Sequence, residues 1–242
     1  MYFRDVDMVG RPTQERRFPP HVAALRLQPY MRETQAELVP IVCIGLSAGG
    51  VEPLRTIFRW LGPATGMAFV VVPHLSPERP NLLPRLLSWW SAMPVQEARA
   101  GLQVEPNHIY VVPSGDELKL EDERFCLRPR SKAWGWPNII TVFLDSLTKW
   151  RQPPGVAVIL SGLDCDGSAA LRQFQSQGGI TIAQDPDTAD YAEMPRAAIK
   201  TGSIDYVLTP EAIVGELEAI GKEFGTGVGA SAVSRYSLVS AK

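Results

Sequence analysis

The sequence predicts an α/β fold, a three-layer αβα arrangement around a mostly parallel, doubly wound sheet with one small hairpin. Two observations carry this. Apolar runs near residues 40–46, 67–73, 108–112, 155–160, 179–183 and 205–208 read as strands, and stretches at 50–61, 80–88, 138–150, 168–177, 193–201 and 210–223 read as helices between them. Strands that alternate with helices argue a parallel sheet covered on both faces. The second observation is a glycine-rich turn, Gly45-Leu46-Ser47-Ala48-Gly49-Gly50, placed between the first strand and the first helix.

Along the chain, residues 1–38 are rich in charge and proline and read as a leader or linker, partly disordered. The run from Val39 to Ile44 is a buried strand. The turn after it reads as a nucleophile elbow, in which glycines permit the tight bend and the helix that follows brings backbone N–H groups toward Ser47. A glycine-rich strand-to-helix turn also cradles phosphates, so Ser47 alone leaves both chemistries open.

An activated serine needs a base, and the chain has three histidines, His21, His74 and His108. His21 lies in the proline-flanked leader. His74 ends the second strand, where two parallel strands would carry it and Ser47 to one rim of the sheet. His108 opens the third strand and belongs on the opposite rim, in a structural role. A carboxylate to orient the imidazole is available where the strand Val156–Leu160 runs into Ser161-Gly162-Leu163-Asp164-Cys165-Asp166-Gly167. Asp166 fits that role. It also fits the commoner task of capping the helix that starts at Ser168.

The order Ser47, His74, Asp166 excludes the α/β-hydrolase arrangement, which runs serine, acid, histidine. Residues 117–127 read as a hairpin turning at Glu121-Asp122-Glu123, and 225–242 as a flexible C-terminal tail. The domain proper therefore spans 39–224. A ligand belongs beyond the carboxyl ends of its parallel strands. Ser47, His74 and Asp166 all fall there.

Composition limits the function classes. The 242 residues carry 24 basic and 26 acidic side chains, so neither nucleic acid nor an anionic membrane is favoured as partner. No stretch approaches the length that spans a bilayer, and the N-terminus lacks a secretory apolar segment. Cys43, Cys126 and Cys165 make neither a paired framework nor a metal motif, which fits a reducing cytoplasm. No cofactor or metal is expected.

The chain resembles the catalytic domain of chemotaxis protein-glutamate methylesterases (CheB). The resemblance rests on Ile44 to Gly50, on His74 after a valine-rich strand, on Leu160-Ser161-Gly162 through Asp166-Gly167, and on Thr181-Ile182-Ala183-Gln184 followed by Met194-Pro195-Arg196. It spans roughly Pro40 to Leu208. It implies a serine hydrolase that demethylates glutamate methyl esters on the cytoplasmic helices of chemoreceptors, in some members also deamidating glutamine, with Ser47, His74 and Asp166 as the triad. Backbone N–H groups at Ala48 and Leu163 are the oxyanion candidates. Arg196 and the loop residues Trp134 and Trp136 are substrate-contact candidates, each equally readable as an ordinary surface or interface side chain. A binding module of the same fold without catalysis is the alternative.

The sequence also departs from the pattern the resemblance implies. Ala48 stands where the family usually has a threonine that helps hold the histidine, and Asp164 stands in place of a glycine, adding negative charge near the site. The 38-residue leader is too short for the receiver domain that precedes regulated members. The resemblance then implies constitutive activity, control by a separate regulatory protein, or a chain that is part of a longer one.

Overall fold

The computed structural model describes residues 39–76, 78, 80–130, 138–151 and 155–225. The leader, the C-terminal tail and Trp134 and Trp136 lie outside the described residues. The strands are β1 (Ile41–Leu46), β2 (Ala68–Pro73), β3 (Val95–Glu97), β4 (Ile109–Val111), β5 (Asp116–Glu121), β6 (Arg124–Pro129), β7 (Val156–Ile159), β8 (Ile180–Gln184) and β9 (Tyr206–Leu208). The helices are α1 (Val51–Trp60), α2 (Leu83–Trp90), α3 (Ile139–Trp150), α4 (Ser168–Ser176), α5 (Glu193–Lys200) and α6 (Pro210–Gly225).

Seven strands form one sheet in the order β3-β4-β2-β1-β7-β8-β9. Every pairing in it is parallel. Alternation along the strands divides the core into two layers, as the period of two requires. Ile41, Cys43, Val70, Val72, Ala157 and Ile159 pack with Phe143, Leu147, Leu171 and Phe174 of α3 and α4. Val42, Ile44, Val71, Val156 and Val158 pack with Leu54 and Phe58 of α1, Leu87 of α2 and Leu217 of α6 on the other face. From β1 the chain winds outward through β2, and it later returns to start the other half at β7. The strand order therefore reverses between β1 and β7, where connections leave in opposite directions and open a crevice.

Strands β5 and β6 form the expected antiparallel hairpin, pairing Glu121 with Arg124 across a two-residue turn. Asp122 and Glu123 both take positive φ, 48° and 59°, the geometry of the turn that matches strand twist. Two details differ from the sequence reading. Helix α2 starts at Leu83 rather than near 80, because the Asn81 side chain accepts from the Leu83 N–H and turns the chain into the helix. Strand β3 was not expected, since three residues at a sheet edge leave no readable alternation.

Candidate active site

The register of three neighbouring strands builds the site. Leu46 pairs with Pro73, and Gly45 pairs with Ile159, so Ser47, His74 and Ser161 stand abreast just past the carboxyl ends of β1, β2 and β7. Backbone bonds continue the ladder one step further: His74 N–H donates to Leu46 at 2.9 Å and Ser47 N–H to Ser161 at 3.0 Å. The placement of Ser47 and His74 on one rim follows from nothing more than parallel strands in adjacent positions.

Glycines let the parts approach. Gly49 has φ +71°, and a Cβ there would meet the Asp190 Cβ at 2.7 Å. A Cβ on Gly162 would collide with Met194 and lie 2.9 Å from the Ser47 Cβ. Ser161 ties the elbow down, its hydroxyl donating to the Ala48 carbonyl at 2.8 Å and accepting from the Tyr191 N–H at 3.0 Å. Buried Gln184 accepts from the Ser161 N–H at 3.0 Å and donates to the Thr188 carbonyl. These polar residues at strand ends satisfy buried backbone groups that a loop rim would otherwise leave unpaired.

Asp166 is fixed more firmly still. Its carboxylate accepts from the N–H groups of Ile140, Thr141 and Gly167, at 2.8, 3.0 and 2.7 Å, and from the Thr141 hydroxyl at 2.6 Å. The helix it caps is thus α3, reached across the fold, and not the helix that follows it in sequence. Gly45 makes the approach of α3 feasible, since any Cβ there would meet Ile140 at 2.7 Å. Burial disfavours the charged carboxylate, but hydrogen bonds from His74, Thr141 and Ile140 outweigh it and hold Asp166 below the usual carboxylate range.

His74 lies between two acids. Its Nε2 donates to Asp166 at 2.8 Å and its Nδ1 to Asp164 at 2.7 Å, with the histidine side chain 2% exposed and that of Asp164 7% exposed. Burial pulls against a charged ring. The hydrogen bonds and charges of Asp164 and Asp166 prevail and raise His74 to about 9. Asp164 is the partner of the His74 ring whose position the sequence did not supply; the Asp164-Cys165-Asp166 spacing, with two acids flanking one turn, was the available signal.

An open cleft of about 460 Å³ runs past this centre, lined by Asn138, Leu163, Asp164, Cys165, Asp166, Glu193 and Ala197. Leu163 is exposed at its mouth, 44% accessible. Arg196 is exposed on α5 beside Ala197, and is not among the lining residues. His108 stands at the opposite end of the sheet, its Nδ1 2.9 Å from the Pro106 carbonyl. Among the described residues, no group of three or more potential metal ligands is present.

Residues 42–217 match the family model of the CheB methylesterase. A protein of Leptospira interrogans, named as a candidate protein-glutamate methylesterase/protein-glutamine glutaminase, is 31% identical over 175 residues, covering 71% of this chain and 90% of that one. The protein-glutamate methylesterase/protein-glutamine glutaminase of Moorella thermoacetica is 33% identical over 189 residues, covering 75% of this chain and 44% of the relative. The chain spans about half the length of several such relatives. The crystal structure of the Thermotoga maritima CheB methylesterase catalytic domain superposes with a TM-score of 0.69 at 29% identity, covering 76% of this chain and 99% of that one.

Proposed function

Because the chain belongs to the CheB methylesterase family, we propose that it is a serine hydrolase that demethylates glutamate methyl esters on chemoreceptor cytoplasmic helices and deamidates glutamine at related positions. The observation that carries this reading is the alignment of Ser47 and His74 at the ends of adjacent parallel strands, with Asp166 on the Nε2 of His74. Asp166 orients the ring and favours the imidazolium that forms during attack.

In the reaction, His74 takes the Ser47 proton as Oγ bonds to the ester carbonyl carbon, and the carbonyl π electrons move onto oxygen. The Ala48 and Leu163 N–H groups are the proposed donors to that oxyanion. Collapse expels methoxide, which leaves as methanol with the proton from His74. Water, deprotonated by the same ring, then attacks the acyl carbon and releases Ser47 and a glutamate carboxylate. With an amide substrate, the first leaving group is ammonia.

The leaving group is small and the acyl part is a side chain on a helix, so binding must come from protein surface around the ester. Arg196, Trp134 and Trp136 are the proposed contacts, and a separate regulatory protein is the proposed source of control. The setting is cytoplasmic, where the receptor helices lie. Among the described residues no helix is long and apolar enough to cross a membrane.

One observation favours a second reading. A histidine hydrogen-bonded to carboxylates through both nitrogens has no lone pair to offer. A binding module that holds a receptor helix without catalysis accounts for that. A serine-directed fluorophosphonate with peptide mapping separates the two: the hydrolase forms an adduct on Ser47 that Ser47→Ala abolishes, and the binding module forms none at any pH from 6 to 10.

A further inference from the structure

Asp164 and Asp166 meet the same ring but are held very differently. Asp166 accepts from four groups besides His74, three of them backbone N–H donors, and anchors the start of α3. It cannot leave the ring without unpairing that helix. Among the described residues, Asp164 accepts, besides His74, only from the Asp166 N–H, at 2.7 Å to the other oxygen. It sits between two exposed residues, Leu163 and Cys165, on the cleft wall.

With Nε2 committed to Asp166, the nitrogen that must accept the Ser47 proton is Nδ1. That is the atom Asp164 occupies. We propose that Asp164 is a positioning residue that latches the base: it keeps His74 doubly protonated with its Nδ1 engaged, so the triad operates only when Asp164 leaves the ring. This rests on the serine hydrolase reading. The proton balance is simple. The latched ring holds one proton more than a general base can, and unlatching sends the Nδ1 proton to solvent, leaving the lone pair that receives the Ser47 proton.

Among the described residues, three kinds of group besides Asp164 and Asp166 stand near the ring: a thiol, an arginine and two acids. Cys43 on β1 is a buried thiol whose ionisation is suppressed by burial and by Asp166, so it contributes no charge. Arg130, at the end of β6, donates to the Leu75 carbonyl beside His74 at 3.0 Å, and a cation there opposes a charged ring. Glu193 of α5 lies farther along the cleft lining, and Asp190 stands beside Gly49. The two acids in direct contact set the ring's charge. Consistently, His74 rises to about 9, so the latch is closed at neutral pH and opens on the alkaline side.

Two variants separate charge from occupancy. In Asp164→Asn, the amide oxygen can still accept from the Asp166 N–H while its NH2 faces Nδ1, which stabilises the neutral ring. In Asp164→Gly the position beside Nδ1 is vacated. The histidine ring resonances of the full chain, assigned with His74→Gln, are followed by NMR from pH 5 to 10. The Ser47 fluorophosphonate labelling rate is measured over the same range. The latch predicts a wild-type His74 midpoint near 9 and a labelling rate that rises with it. It predicts a midpoint at least one pH unit lower in Asp164→Asn and Asp164→Gly, and labelling of Asp164→Gly at pH 7 at least tenfold faster than wild type. A His74 midpoint unmoved by both variants, or labelling at pH 7 no faster in Asp164→Gly, overturns the latch while leaving the hydrolase standing. Absence of a Ser47 adduct in every variant at every pH overturns the hydrolase reading and the latch together.

Discussion

The two rims of the sheet carry one histidine each in neighbouring strands, and their surroundings differ in every respect that matters for chemistry. His74, past the carboxyl end of β2, is buried between two carboxylates. His108, before β4, rests its ring nitrogen on the backbone carbonyl of Pro106 and lies 3.6 Å from an exposed Glu105. Both donate or accept in the strand ladder, His74 through its N–H to Leu46 and His108 through its carbonyl to Phe69. The ladder therefore explains neither difference. What separates the rims is where loops diverge: connections after β1 and β7 depart in opposite directions and leave space for side chains from three strands and α3 to converge.

Breaking the rim that carries Ser47 and His74 has the largest expected effect. Ser47→Ala and His74→Ala should each lower ester hydrolysis by several powers of ten, and Asp166→Asn by up to roughly 10⁴, while His108→Gln leaves the rate within a factor of about two. Steady-state methanol release measures all four. Equal losses at His74 and His108 would erase the contrast between the rims.

Stability should separate them too. Asp166→Ala strands the Ile140 and Thr141 N–H donors at the start of α3, while the Gly167 N–H keeps the Thr141 hydroxyl, a cost on the order of 3 kcal/mol in denaturant unfolding. Ser161→Ala removes one hydroxyl that bridges Ala48 and Tyr191, and costs about 1–2 kcal/mol. His108→Gln, a partly exposed ring on a carbonyl, should stay within about 0.5 kcal/mol.

A pH series sharpens the same comparison. A histidine raised in the folded state stabilises the fold fully below its unfolded value of roughly 6.5, and that contribution is lost as pH rises through the folded value. For His74 the window runs from there to about 9. Melting temperature should decline across this interval in wild type, and decline less in Asp164→Asn.

Much of this site was legible in the sequence, for reasons particular to each residue. Ser47 and His74 follow strongly apolar runs, and parallel strands carry the residues after them to one rim whatever the register. The two core layers were similarly implied by alternating helices and strands. Asp166 was legible as an acid in the right turn. Its grip on α3 was not, because Thr141 lies 25 positions away and only tertiary packing joins them. Ser161 and Gln184 carry no local sign in the sequence that they pin the elbow. Asp164 was visible as extra charge, but a sequence does not say which ring atom a carboxylate meets.

The smallest expected effect concerns Ala48. Restoring threonine there adds a hydroxyl near the elbow, and the gain in kcat/KM should correspond to about 1 kcal/mol or less, the net worth of one hydrogen bond. An increase well beyond tenfold would show that this hydroxyl does more than add one hydrogen bond.

The central claim is that this rim hydrolyses glutamyl methyl esters carried on protein helices. The most direct measurement is methanol release from a methyl-esterified chemoreceptor cytoplasmic fragment, compared with a simple glutamate methyl ester, at pH 7 and pH 9.5. Wild type should show release that Ser47→Ala abolishes, a higher kcat/KM for the receptor fragment, and faster turnover at the higher pH after subtraction of spontaneous hydrolysis. Release from the receptor fragment that persists unchanged in Ser47→Ala, or no release from wild type at either pH, would contradict it.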